Sequence, residues 1–123
     1  MMSADTRLDL GSVKIHKHVL DEIIAKTVHG INGVRLVQPN LSDKLKDLIS
    51  GPSHPGIKIQ MDEQEGIKIN LAINIQYGMK IPDTARQIQD IVKQDIKKIL
   101  EINVADVNID IRGIEAGGGK NVS

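Results

Sequence analysis

Between Ile67 and Gln76 every second residue is aliphatic: Ile67, Ile69, Leu71, Ile73 and Ile75 alternate with Lys68, Asn70, Ala72, Asn74 and Gln76. Successive side chains of a strand point to opposite faces, so this run predicts a long β-strand with one face in a core and the other left polar. Ile57, Ile59 and Met61 alternate in the same way with Lys58, Gln60 and Asp62, and the turn between the two runs ends at Gly66, which predicts a β-hairpin. After Tyr77-Gly78 the period changes to that of a helix. Pro82 suits a first helical turn, Thr84 and Gln87 have the spacing of a capping box, and Ala85, Ile88, Val92, Ile96 and Ile99 make the expected buried stripe. Val107 to Ile111 then alternates again, as a last strand.

The first half of the chain carries shorter signals. Val13 and Ile15 flank Lys14 in a short strand, and Val19, Leu20, Ile23, Ile24 and Val28 recur at helical spacing between Lys17 and His29. Gly30 to Gly33 supplies the helix stop, glycine tolerating the positive φ of a C-cap, and Val34-Arg35-Leu36-Val37 reads as a strand. Residues 38–56 contain Pro39, Pro52, Pro55 and Gly51. They read as a mobile connection interrupted by a short Ser42-capped helix presenting Leu45, Leu48 and Ile49.

The expected organisation is a flexible N-terminal tail (1–10), a single α+β domain (11–114) and a flexible Gly-rich C-terminal tail (115–123). In the order β-α-β-β-β-α-β these elements predict a two-layer sandwich, a mixed β-sheet with two main helices packed on one face. Right-handed crossovers favour a split β-α-β topology. The uncovered face would carry Lys58, Gln60, Lys68, Asn70, Asn74, Gln76, Asn108 and Asp110, a polar, amide-rich candidate interaction surface.

Composition narrows what that surface can bind. The 123 residues suit one domain with one core, and 16 basic side chains balance 16 acidic ones, so no global field draws the chain to nucleic acid or anionic lipid. Trp and Phe are absent and Tyr77 is the one aromatic residue. A single-stranded nucleic-acid binder stacks bases on several aromatic rings, so that class is disfavoured. The absence of Cys removes disulfides, thiolate nucleophiles and Cys-based zinc sites. Met1 to Arg7 has no apolar stretch of the secretory type, and no segment approaches the roughly 20 apolar residues that span a bilayer. The expected location is the cytoplasm.

Motifs with chemical overtones have simpler readings. His16 and His18 form an H-x-H pair, but zinc needs three or four ligands and no partner stands at a telling spacing. His29 and His54 have no nucleophile paired to them in sequence. Gly30-Ile31-Asn32-Gly33 matches the G-x-x-G of nucleic-acid-binding KH loops, yet joins a helix to a strand, not two helices. Gly117-Gly118-Gly119-Lys120 lacks the spacing of a phosphate loop and the helix that must follow it. Lys93, Lys97 and Lys98 are interleaved with Asp90, Asp95 and Glu101, the pattern of a solvated helix face. Glu63 and Glu65 fall in the predicted hairpin turn, where hydration keeps both ionised. No catalytic residue, cofactor or metal site is expected.

Four short motifs carry a family likeness. Gly11-Ser12-Val13-Lys14-Ile15 stands before a helix and Gly33-Val34 after it; Tyr77-Gly78 precedes a Pro-started helix; Val107-Asn108-Ile109 leads to Gly113-Ile114. In this order and spacing, over about residues 11–114, the chain resembles the alkaline shock protein family of envelope stress response proteins. It departs from the pattern in placing His16, not Ser or Thr, ahead of the first helix, and it lacks a long charged tail. The resemblance implies a small non-enzymatic cytoplasmic protein that self-associates and is held near the membrane by a separate anchor protein. It also implies, as another candidate partner, a kinase of the dihydroxyacetone-kinase type. A small RNA-binding α+β domain, suggested by Lys58 and Lys68, is the alternative function.

Overall fold

The computed structural model describes residues 7–10, 13–38, 45 and 54–116. Its central strand is the run that dominates the sequence, Gly66–Gln76, preceded by strands over Arg7–Leu10 (β1), Val13–His16 (β2), Val34–Leu36 (β3) and Ile57–Asp62 (β4). The strand Gly66–Gln76 is β5, and β6 spans Val104–Glu115; helix α1 covers Lys17–His29 and α2 covers Ile81–Leu100.

Every other described strand of the main sheet pairs with β5. β4 runs antiparallel beside its first half, from Asp62 opposite Gly66 to Ile57 opposite Leu71, and β3 runs antiparallel beside its second half, from Leu36 opposite Ile73 to Val34 opposite Ile75. The two short strands therefore lie end to end along one edge of β5. At their junction the Ala72 amide donates to Gly56 O and the Val37 amide donates to Ala72 O, so the ladder continues across the break. Gly56 is required there: a Cβ would stand 2.7 Å from Ala72 O. The other edge of β5 is filled by β6, parallel, from Val104 opposite Ile67 to Glu115 opposite Gln76.

The result is a mixed sheet with both helices on one side, the α+β sandwich expected from the sequence. Leu20, Ile24 and Val28 of α1 and Ile88, Val92 and Ile96 of α2 are buried against Ile67, Ile69, Leu71, Ile73 and Ile75. Each fully buried aliphatic side chain contributes on the order of 1.5–3 kcal/mol before chain entropy is set against it. Helix α1 packs against β3, β4 and α2, and α2 against α1 and β6. Two polar contacts tie these elements: Thr27 Oγ1 donates to Asp95 Oδ2 at 2.7 Å within the helical layer, and Gln89 Nε2 donates to Val107 O at 2.8 Å between α2 and the sheet.

Several expectations are corrected. Arg7–Leu10, read as part of a tail, forms β1 and pairs antiparallel with β2 as a separate two-stranded sheet. The crossover through α2 is not split, because β5 and β6 are immediate neighbours. The hairpin partner β4 together with β3 already occupies the other edge of β5, leaving β6 the remaining one. Helix α2 begins at Ile81 with Lys80 as N-cap and no side-chain cap, so Thr84 is not half of a capping box with Gln87; it is buried at 4 % exposure under the helix. Ile99 is 57 % exposed. The buried positions Thr84, Ile88, Val92 and Ile96 advance by four residues, which drifts the stripe about 40° per step towards Leu100 and leaves Ile99 about 100° behind it. At the end of α1 the positive φ falls on Gly33 (80°), while Gly30 remains in the right-handed region. Of the Ser42 helix only Leu45 is described, helical and exposed, and residues 117–123 of the Gly-rich tail lie outside the described residues, whereas Glu115 closes β6.

Candidate interaction surface

The face of the sheet turned away from the helices is built by the even-numbered residues of β5. Lys68, Asn70, Ala72, Asn74 and Gln76 stand half-buried there because a strand flanks them on each side. Register then fixes the rows across the sheet. Gln60, Lys68 and Asp106 form one row; Lys58, Asn70 and Asn108 form the next; Arg35, Asn74 and Gly113 form another, and Gln76 stands opposite Glu115. Asp110 lies opposite Ala72. All eight residues anticipated from alternation thus share one surface, on which Lys58, Gln60, Asn108 and Asp110 are exposed.

Hydrogen bonds lock parts of this surface. Asn108 Nδ2 donates to Asn70 Oδ1 at 3.0 Å, joining β6 to β5 through their side chains. Around Asn74 the register slips by one residue, leaving Arg112 as the extra residue of a bulge in β6. Its Nε donates to Asp110 Oδ2 at 2.6 Å. Gly113 next to it leaves room for the Asn74 side chain; a Cβ would stand 2.9 Å from Asn74 Oδ1. Across that gap Asn74 Nδ2 and Arg35 Nη1 both reach the Glu115 carboxylate, at 3.4 and 3.5 Å.

Sequence alternation did not identify Arg35, Asp106, Arg112 or Glu115 as members of this surface. Arg35 and Asp106 lie on short or irregular stretches, and Glu115 stands next to the Gly-rich segment that reads as a tail. Their opposite signs change its character: Lys58 and Lys68 do not make a basic patch, because carboxylates of β6 stand in the same or adjacent rows.

At the β4–β5 turn the electrostatics are local. Asp62 Oδ1 accepts the amides of Gln64 at 2.7 Å and Glu65 at 3.1 Å, and these two bonds hold its carboxyl below the usual carboxylate range. Glu65 in turn bonds the Lys68 ammonium and holds it above its usual value, with Asp106 and Asp62 adding to the effect.

The histidines are dispersed. His16 and His18 have ring centroids 6.3 Å apart at the start of α1. His54 Nδ1 lies 3.1 Å from Asp21 Oδ2, tying the segment that enters β4 to α1. His29 and His54 both border an open groove between the end of α1 and β3. Among the described residues no three His, Cys, Asp or Glu side chains are grouped to hold a metal ion, and no helix is long and apolar enough to cross a membrane.

Comparison with known proteins assigns the chain. The model of the alkaline shock protein 23 family, described as having a cell envelope-related function, matches residues 5–116. Among curated proteins, Spy1535 of Streptococcus pyogenes is 27 % identical over 87 % of this chain and 81 % of its own length. YloU of Bacillus subtilis is 26 % identical over 92 % of this chain and 96 % of its own. A stress response regulator gls24 homolog of Streptococcus pyogenes is 22 % identical over 85 % of this chain, which spans 59 % of that longer protein. No solved structure matches. The matched span runs from just before β1 to the residue after β6, and on it the chain belongs to the alkaline shock protein 23 family, the alkaline shock and Gls24 type.

Proposed function

We propose that this protein is a non-enzymatic envelope stress response module that works by association, with the open sheet face as its interaction surface. It self-associates there, and it docks in the cytoplasm to a partner that is membrane-anchored or a kinase of the dihydroxyacetone-kinase type. The family's cell envelope-related description and the stress-response name of a relative support the setting. One observation carries the reading: the helices cover one face of the sheet, and among the described residues no element packs on the other face, which is lined by amides and by charges of both signs. Amide side chains both donate and accept, so such a face can bond another chain without acquiring net charge. Lys58 and Lys68 favour RNA less than they did in the sequence, since Asp106, Asp110 and Glu115 share their surface.

The test is replacement of Asn70 and Asn74 by Asp. Asp at position 70 can still accept from Asn108, whereas Asp at position 74 sets a second carboxylate beside Glu115, so circular dichroism and a thermal melt accompany the binding measurements to show that the variant is folded. Self-association and retention of a co-expressed partner are expected to fall together. Unchanged association and unchanged pull-down would make the face an ordinary solvated surface and sink the reading.

A further inference from the structure

The groove between the end of α1 and β3 has a volume of about 870 Å³ and runs along the outer edge of β3: residues 34–38 line it, and no residue of β5 does. That stretch amounts to about 16 Å of extended chain. Gly33 O accepts from the Gln76 amide and the Val37 amide donates to Ala72 O, so the odd-numbered residues here turn their main-chain groups towards β5. Direction alternates along an antiparallel strand, which turns the groups of Val34 and Leu36 towards the groove. The Val34 amide donates to Ile31 O. Among the described residues, Val34 O and both main-chain groups of Leu36 have no partner, and a strand edge in that state is a template for another strand.

The side chains around this edge define the kind of strand it takes. Ala25, Ile31 and Leu36 are half-buried and give the groove an apolar floor. Lys26 and His29, exposed in the last turn of α1, line it as well, and among the described residues no carboxylate does. The acids of α1 nearest to them, Asp21 and Glu22, lie about one turn back along the helix. Two other lining side chains are already paired: His54 Nδ1 lies 3.1 Å from Asp21 Oδ2, and Arg35 Nη1 lies 3.5 Å from Glu115 Oε1. Lys26 and His29 have no such partner among the described residues. We infer that an extended acidic segment of a partner protein adds to β3 here as an antiparallel strand, with an aliphatic side chain on Ala25, Ile31 and Leu36 and carboxylates on Lys26 and His29. One residue of that segment faces Leu36 and exchanges both main-chain hydrogen bonds with it. The groove is separate from the open sheet face, so the inference stands apart from self-association.

The probe is a pool of capped heptapeptides with a central leucine and an equal mixture of aspartate, glutamate, serine and threonine at the other positions; a matched pool carries lysine and arginine in place of the acids. Amide NMR spectra of the full chain with about 1 mM of the acidic pool are expected to shift over residues 25–38 and 54–56 and to show slower exchange of the Leu36 amide. The basic pool is expected to leave them unchanged. Methylating the central peptide nitrogen removes the donor to Leu36 O and is expected to weaken binding about tenfold, whereas methylating the next nitrogen, which faces solvent, changes it little. Lys26→Glu is expected to weaken binding about fivefold. The Asn70→Asp, Asn74→Asp chain is expected to bind the acidic pool as the wild type does; loss of binding there places the peptide on the open face and overturns the inference. Absence of shifts, equal binding of the basic pool, or equal losses from the two methylations also overturns it. So does a Leu36 amide already protected in the free chain, because that edge is then covered by the chain itself or by a second copy.

Discussion

The two faces of β5 are made by alternate residues of one strand, yet they are held by different physics. The odd-numbered face, Ile67 to Ile75, is closed by α1 and α2 and depends on packing. The even-numbered face depends on hydrogen bonds and charge pairs that water can replace. A residue on the first face is therefore costly to remove and replaceable only by something of its own shape, whereas one on the second is inexpensive to remove for folding and consequential for what the surface binds.

The largest effect should come from truncation on the packed face. Leu71→Ala removes a fully buried side chain and is expected to cost about 2–5 kcal/mol in denaturant unfolding, against under about 0.5 kcal/mol for Asn70→Ala one residue earlier. Similar losses for the two would abolish the distinction between the faces. Next is Gly56→Ala at the junction of β3 and β4, where the added Cβ must displace Ala72 O; an expected loss of about 1–3 kcal/mol should appear in the same measurement. Thr27→Val keeps the shape but removes the donor to Asp95, which should cost about 1–2 kcal/mol and loosen α1 from α2, seen as faster amide exchange in both helices.

The smallest effect is the pH dependence of the β4–β5 turn. Asp62 has its carboxyl pKa depressed in the folded chain by the amides of Gln64 and Glu65. Its contribution is therefore fully present above the unfolded-state pKa and is lost as pH falls through the lower folded one. An Asp62→Asn chain should match the wild type at strongly acid pH and be slightly less stable at neutral pH. Equal stability of the two chains at neutral pH would mean that the turn does not depend on the ionised carboxylate.

The packed face was largely legible in sequence because period-two alternation over β5 and helical spacing over α1 leave few alternatives. The places that were not legible depend on partners distant in the chain. Thr84 has the spacing of a cap, but burial against the sheet overrides local preference once the helix begins at Ile81. Ile99 continued the count of apolar residues while the stripe had already turned away. β1 is as short as β2, and its Leu8-Asp9-Leu10 alternation is the same signal that marks Val13-Lys14-Ile15; what defines it as a strand is its pairing with β2. On the open face, alternation identified the eight residues but not their rows. The bond between Asn70 and Asn108, the shared edge of β3 and β4, and the Arg112 bulge follow from register between segments that no local pattern aligns.

Sedimentation velocity of the wild-type chain and of an Asn70→Asp, Asn74→Asp chain, across a concentration series, tests the central claim most directly. The expected result is a sedimentation coefficient that rises with concentration for the wild type and stays at the monomer value for the variant. A wild type that remains monomeric throughout, or two chains that associate equally, would contradict the assignment of self-association to the open sheet face.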